Sequence, residues 1–176
     1  MQESVSVLLS EEELDDKIRE MGAQISRDYA GRQVHLICVL KGGTFFMCEL
    51  AKRITIPVSI DFMSVSSYGN DTVSTGIVRI IKDLDKPIEG KDVIVVEDII
   101  DTGRTLSYLL KVLKDRKPNS IKLATMLDKP DRRVVDDVNV DYTGFNIPDE
   151  FVVGYGLDYA ERYRNLPYIG VLHFSE

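Results

Sequence analysis

The stretch that most constrains this chain is residues 93–106, Val-Ile-Val-Val-Glu-Asp-Ile-Ile-Asp-Thr-Gly-Arg-Thr-Leu. Val93, Ile94, Val95 and Val96 run together without polar alternation, the pattern of a strand covered on both faces. They lead straight into three acids in five positions, Glu97, Asp98 and Asp101, and then into a small-residue turn that opens a helix. Carboxylates set directly after a buried strand cost free energy unless they bind something. The turn says what that could be. The first turn of a helix leaves backbone N–H groups unpaired at the positive end of its dipole, and Gly103 lets a ligand approach the backbone closely. Thr102, Gly103, Arg104 and Thr105 therefore suit a phosphate monoester. The acceptor-only carboxylates of Glu97 and Asp98 suit a sugar diol or a hydrated Mg²⁺. The spacing of a Walker A loop is absent.

The rest of the chain repeats the alternation of strand and helix. Ser10 and Glu13 form a capping box, and Leu14, Ile18, Met21, Ile25 and Tyr29 recur at helical steps until Gly31. Residues 34–40 read as a buried strand, 44–53 as a helix after Gly42-Gly43, and 57–66 and 77–82 as strands. Residues 93–96, 104–115 and 121–127 then form a βαβ unit, turned at Pro118-Asn119. Strand-like pieces follow at 138–142, 151–155 and 168–173. This order predicts an α/β fold, a mostly parallel twisted sheet flanked by helices, in one domain spanning residues 1–176. In such sheets ligands bind beyond the carboxyl ends of strands at a topological switch point, so the loops after strands are where chemistry is expected.

A formal charge of −7 disfavours a nucleic-acid partner, which needs a clustered basic field. The N-terminus meets acids at once, and no later run approaches a membrane span, so a soluble cytoplasmic protein is expected. Cys38 and Cys48 have neither metal-ligand nor disulfide spacing and read as buried free thiols. His35 and His173 are assigned no chemistry.

The segment 93–106 resembles the phosphoribosyl pyrophosphate (PRPP) signature of type I phosphoribosyltransferases. Beside it stand Leu40-Lys41-Gly42-Gly43, Ser66-Ser67-Tyr68-Gly69, Leu127-Asp128-Lys129-Pro130, Phe151-Val152-Val153-Gly154-Tyr155-Gly156-Leu157-Asp158-Tyr159 and Tyr163-Arg164-Asn165-Leu166-Pro167-Tyr168, in the order of the hypoxanthine-guanine branch. The resemblance runs from about Ser10 to Leu172. It implies the type I fold with a small hood built from the terminal segments. It further implies transfer of phosphoribose from PRPP to a 6-oxopurine through an oxocarbenium-like transition state.

The same resemblance assigns roles. Asp101 is the general base toward the purine imidazole, with a pKa raised by Glu97 and Asp98; taken alone, it reads rather as a helix N-cap. Lys41 and Gly42 form a pyrophosphate loop, often with a cis peptide, and Arg164 is a second pyrophosphate ligand. Lys129 donates to the purine O6, Phe151 stacks on the base, and Val152 and Asp158 lie at its edge. Glu97, Asp98 and Asp158 are linked to Mg²⁺. Ser67 and Tyr68 begin a stretch, 67–76, that closes over the site. Arg104 stands where lysine or an uncharged residue is common, but the backbone there binds the phosphate. A homodimer or homotetramer is implied. A non-catalytic PRPP sensor on the same fold is the alternative, and it would have no need of Asp101, Lys129 and Phe151.

Overall fold

The computed structural model describes residues 2–67 and 78–176. In chain order the elements are β1 (Gln2–Leu9), α1 (Glu11–Asp28), β2 (Val34–Val39), α2 (Thr44–Arg53), β3 (Val58–Ser67), β4 (Val78–Lys82), β5 (Asp92–Ile100) and α3 (Arg104–Lys114). There follow β6 (Ser120–Asp128), a 3-10 turn at Pro130–Arg132, β7 (Tyr142–Asn146), β8 (Val152–Val153) and β9 (Ile169–Ser175).

Six strands form one sheet in the order β4-β3-β2-β5-β6-β7. All neighbours run parallel except β3 and β4. Residues on β2 and β5 show why these strands carry unbroken apolar runs. Leu36, Cys38, Ile94 and Val96 face a core shared with Leu14, Ile18 and Ile25 of α1 and with Phe46, Met47 and Leu50 of α2. Their alternates Ile37, Val39, Val93 and Val95 face a second core with Leu106, Leu109 and Leu113 of α3. A strand sandwiched between helix layers needs apolar residues at both parities, and each fully buried aliphatic side chain there contributes about 1.5–3 kcal/mol.

The chain leaves β2 through α2 toward β3 on one side; from β5 it leaves through α3 toward β6 on the other. The order therefore reverses between β2 and β5, and the loops beyond their carboxyl ends flank one crevice. Residues 41–43 and 97–103 meet there.

One half of the capping box forms, Ser10 Oγ accepting from the Glu13 N–H at 3.1 Å, while the Glu13 carboxylate accepts from the Ser10 hydroxyl at 3.2 Å; Glu11, Glu12 and Glu13 occupy the first turn of α1. The terminal segments form the hood, a separate antiparallel sheet in the order β1-β9-β8. Its first strand, β1, is not foreseen from the sequence. The strand expected at 138–142 is displaced: Val138 and Val140 pack into the α3-side core, but pairing with β6 begins at Tyr142. The strand expected at 151–155 contracts to Val152–Val153. Cys38 is buried, and burial pushes its thiol up to about 12. Cys48 is exposed, against expectation, because it lies on the outer side of α2. Among the described residues no helix is long and apolar enough to cross a membrane.

Candidate active site

Three backbone segments close on one another at the crevice, and glycines permit it. The Leu40–Lys41 peptide is cis, and Gly42 follows with its Cα against Asp98: a Cβ at Gly42 would lie 1.8 Å from Asp98 Oδ2. From the other side Gly156, at φ +99°, presses on the Gly42 carbonyl, so that a Cβ there would lie 2.2 Å from Gly42 O. The expected pyrophosphate loop is thus wedged between the acidic end of β5 and the loop that carries Asp158.

Glu97 and Asp98 stand side by side at the end of β5, each partly buried. Burial is the main cause that raises Glu97 well above the ordinary carboxylate range, and the Asp98 charge adds to it. Burial raises Asp98 too, offset by the Ile99 N–H that donates to its Oδ1 at 2.8 Å and by the Arg164 charge. A carboxyl whose folded pKa lies above its unfolded value keeps a proton that the unfolded chain has released. Stability supplied by that protonated form is present below the unfolded pKa, near 4.5, and is lost as pH rises through the folded value. The substitution Glu97→Gln removes this loss. Its thermal midpoint should exceed that of the unaltered protein at pH 8 by more than at pH 4.5; an equal difference at both pH values would mean that Glu97 carries no such penalty.

Arg164 links this pair to the hood. It donates to Gly156 O at 2.6 Å and forms ion pairs with Asp158 at 3.2 Å and Glu161 at 3.5 Å, while its buried Nε has no hydrogen-bond partner. Lys41 Nζ reaches Glu161 at 3.3 Å. Two cations expected at pyrophosphate therefore converge on one carboxylate, which an arriving anion can displace. Arg164 takes one oxygen of Asp158, and the Glu161 N–H donates to the other at 2.9 Å. Among the described residues no group of three or more His, Cys, Asp or Glu side chains converges to hold a metal ion. Glu97 and Asp98, two carboxyl groups beside the start of α3, fit Mg²⁺, which usually takes one or two carboxylates, substrate oxygens and water.

The turn after β5 has the geometry an anion site needs. Gly103, at φ 82°, is the N-cap of α3 and has no side chain with which to cap it. Thr102 Oγ1 lies 3.5 Å from the Arg104 N–H, and the Ser107 N–H donates to Gly103 O at 2.8 Å. Asp101 is therefore not the helix cap. Nor does it join the acidic pair: its carboxylate is exposed and lies 3.5 Å from Arg132.

Lys129 is buried, 7% exposed, with Nζ 3.5 Å from Asp149. Its N–H donates to Ile100 O at 3.0 Å, which ties the expected purine-binding lysine to the end of β5. Phe151 is 52% exposed, whereas Val152 is buried and paired with Val171 of β9. Ser67 ends β3; Tyr68 and residues 69–76 lie outside the described residues.

Sequence reasoning missed Arg132, Arg133 and Asp149. Arg132 pairs with Asp101 and, at 3.6 Å, with Asp149. Arg133 pairs with Asp128, donates to Asp101 O at 3.3 Å and fills the space where a Gly103 Cβ would stand. A signal existed: Lys129, Arg132 and Arg133 are three cations in five positions of an acidic chain.

A glycine-started helix, paired acids at a switch crevice and a glycine-wedged loop give an α/β protein the features suited to a phosphorylated sugar. Comparison with known proteins narrows the class. The model of the phosphoribosyl transferase domain matches residues 4–160. The hypoxanthine-guanine phosphoribosyltransferase of Bacillus subtilis (strain 168) is 57% identical over 94% of this chain and 92% of its own length. A crystal structure of a hypoxanthine phosphoribosyltransferase from Staphylococcus aureus superposes with a TM-score of 0.92 at 54% identity, covering 96% of this chain and 91% of that one. The bifunctional protein TilS/HprT of Listeria monocytogenes serotype 4b (strain F2365) is 60% identical over 94% of this chain, which spans 26% of that longer protein. The chain belongs to the phosphoribosyl transferase family, in its hypoxanthine-guanine branch.

Proposed function

We propose that the protein transfers the 5-phosphoribosyl group of PRPP to hypoxanthine, and to guanine, forming IMP or GMP and releasing pyrophosphate. The observation that carries this reading is the Gly156–Gly42–Asp98 stack. It sets residues 41–43 against an acidic pair that continues into a glycine-started helix, with Lys129 hydrogen-bonded to the same strand end. The names of the relatives favour the same substrates.

In this mechanism the α3 N-terminus and Thr102 to Thr105 hold the 5′-phosphate. Glu97 and Asp98 face the ribose hydroxyls, and Lys41, Gly42 and Arg164 receive pyrophosphate. When bound, Mg²⁺ would neutralise the pyrophosphate charge, and Glu97 and Asp98 would be the carboxylates that hold it. Lys129 donates to O6, which selects oxopurines because adenine presents a donor there. Phe151 stacks on the base, and Val152 offers its backbone to the base edge. Asp101 handles the imidazole proton as N9 attacks C1. The protein acts in the cytoplasm as a homo-oligomer.

The test is steady-state turnover with hypoxanthine, guanine, xanthine and adenine, each with and without Mg²⁺. Adenine used as well as hypoxanthine, or turnover indifferent to Mg²⁺, would sink the proposal. In the same assay Lys129→Ala should lower kcat/KM for hypoxanthine about 10- to 150-fold, equivalent to losing ~1.5–3 kcal/mol from a charged hydrogen bond. An unchanged value would leave Lys129 as a partner of Asp149 alone.

A further inference from the structure

A stacking ring must hold its tilt before the base arrives, yet Phe151 is half exposed and stands just outside a two-residue strand. Its support is a column of rings. Tyr159 stands perpendicular to Phe151, centroids 5.7 Å apart at 89°, and Phe174 of β9 packs on Tyr159 at 5.3 Å and 68°. Both lie in the range of favourable edge-to-face pairs. Whichever ring presents its edge, a perpendicular pair leaves at least one face of Phe151 uncovered by Tyr159.

Tyr159 is fixed from a second side. It opens a tight hairpin closed by reciprocal backbone bonds with Arg162, 3.1 and 3.0 Å long. The two residues between, Ala160 and Glu161, take φ 50° and 61°. Residues other than glycine adopt this conformation where their surroundings enforce it. Here the Arg162 guanidinium lies 5.8 Å from the Tyr159 ring centroid and reaches Glu3 of β1 at 2.7 Å. The Tyr163 hydroxyl donates to the same Glu3 carboxylate. Glu3 and Phe174 are direct partners in the β1–β9 ladder. Two neighbouring residues of the hood thus hold Tyr159, one through a ring and the other through Arg162.

We infer that Tyr159 and Phe174, with Glu3 acting through Arg162, are positioning residues for the purine: they fix the Phe151 ring so that the base meets a surface already ordered. The inference rests on the stacking role of Phe151. A ring ordered in advance spares the cost of ordering it on binding, so the effect falls on the base and not on PRPP. Were the column only packing between the terminal strands, its loss would lower stability without discriminating between the two substrates.

The experiment compares Phe151→Ala, Tyr159→Ala, Tyr159→Phe, Phe174→Ala and Glu3→Gln, measuring kcat and KM for hypoxanthine and for PRPP, with each thermal midpoint determined. Tyr159→Ala should raise KM for hypoxanthine about three- to tenfold, the value of lost ring contacts, with KM for PRPP and kcat within about twofold. Phe174→Ala and Glu3→Gln should act in the same sense at about two- to fourfold, and Tyr159→Phe, which keeps the ring, should stay within about twofold. If Phe151→Ala raises KM for hypoxanthine and Tyr159→Ala does not, or if both substrates shift equally, the inference is overturned. If Phe151→Ala leaves that KM unchanged, the stacking role itself fails. Should Tyr159→Ala not fold, Phe174→Leu, which keeps apolar volume without the ring, decides by the same readout.

Discussion

Replacing Asp101 by Asn should lower kcat about 10²- to 10⁴-fold while PRPP binds within a few-fold of its normal affinity. An aspartate before a helix is ordinarily a cap, whose loss costs stability and would confound any kinetic reading. The cap of α3 is Gly103, with no side-chain hydrogen bond, so Asp101 is not needed to hold the helix. Among the described residues its carboxylate pairs with Arg132 at 3.5 Å, with both groups about half exposed. An exposed pair of this kind contributes roughly 0–1 kcal/mol. The substitution therefore removes a proton acceptor and little else. Asn keeps the shape and the Arg132 contact but cannot take the purine proton. Single-turnover rates, calorimetric PRPP binding and the thermal midpoint check the three parts. Turnover near that of the unaltered protein would take Asp101 out of the mechanism, and a large fall in midpoint would make its role structural.

The sheet's central strands were legible because burial on both faces writes itself into sequence: β2 and β5 need apolar residues at both parities, and both have them. The strand β1 was not legible. Its exposure alternates imperfectly, and it is a strand because β9, more than 160 residues away, pairs with it. Local pattern carries no trace of such a partner. At 138–142 the alternating valines told truly of burial and misled about pairing, because packing beneath α3 and hydrogen bonding to β6 are separate demands.

The same distinction divides the site. Residues that act through backbone geometry, Gly42 and Gly103, could be placed from local sequence, since close approach and positive φ restrict the choice of residue. The electrostatic partners could not. Asp101 was expected to share the field of Glu97 and Asp98, but the turn after Ile100 carries it outward to Arg132, on a segment that returns from beyond β6. Charge–charge partners are fixed by tertiary folding, and no spacing rule within residues 97–101 announces them.

The largest structural effect should come from Gly156→Ala. At φ +99° an L-residue is strained, by about 1–2 kcal/mol for a left-handed conformation, wherever it occurs. Gly156 adds a collision, because its Cβ would lie 2.2 Å from Gly42 O and 3.2 Å from Gly42 C, backbone atoms that no rotamer change can move. Gly42 cannot retreat, since its own Cα already faces the Asp98 carboxyl. The loop bearing Asp158 must then lift from the pyrophosphate loop, taking the Arg164 bond to Gly156 O with it. Gly156→Ala should lose about 2–4 kcal/mol of stability, and kcat/KM for PRPP should fall by roughly 10² or more. Gly90→Ala separates the two causes. Gly90 sits at φ +74° with nothing within 4 Å of its Cβ position, so it carries strain without collision. That control should lose about 1 kcal/mol and leave kcat/KM unchanged. Denaturant unfolding and PRPP kinetics on both variants decide: if Gly156→Ala loses no more than Gly90→Ala in either measurement, the glycine stack does not hold the pyrophosphate loop in place.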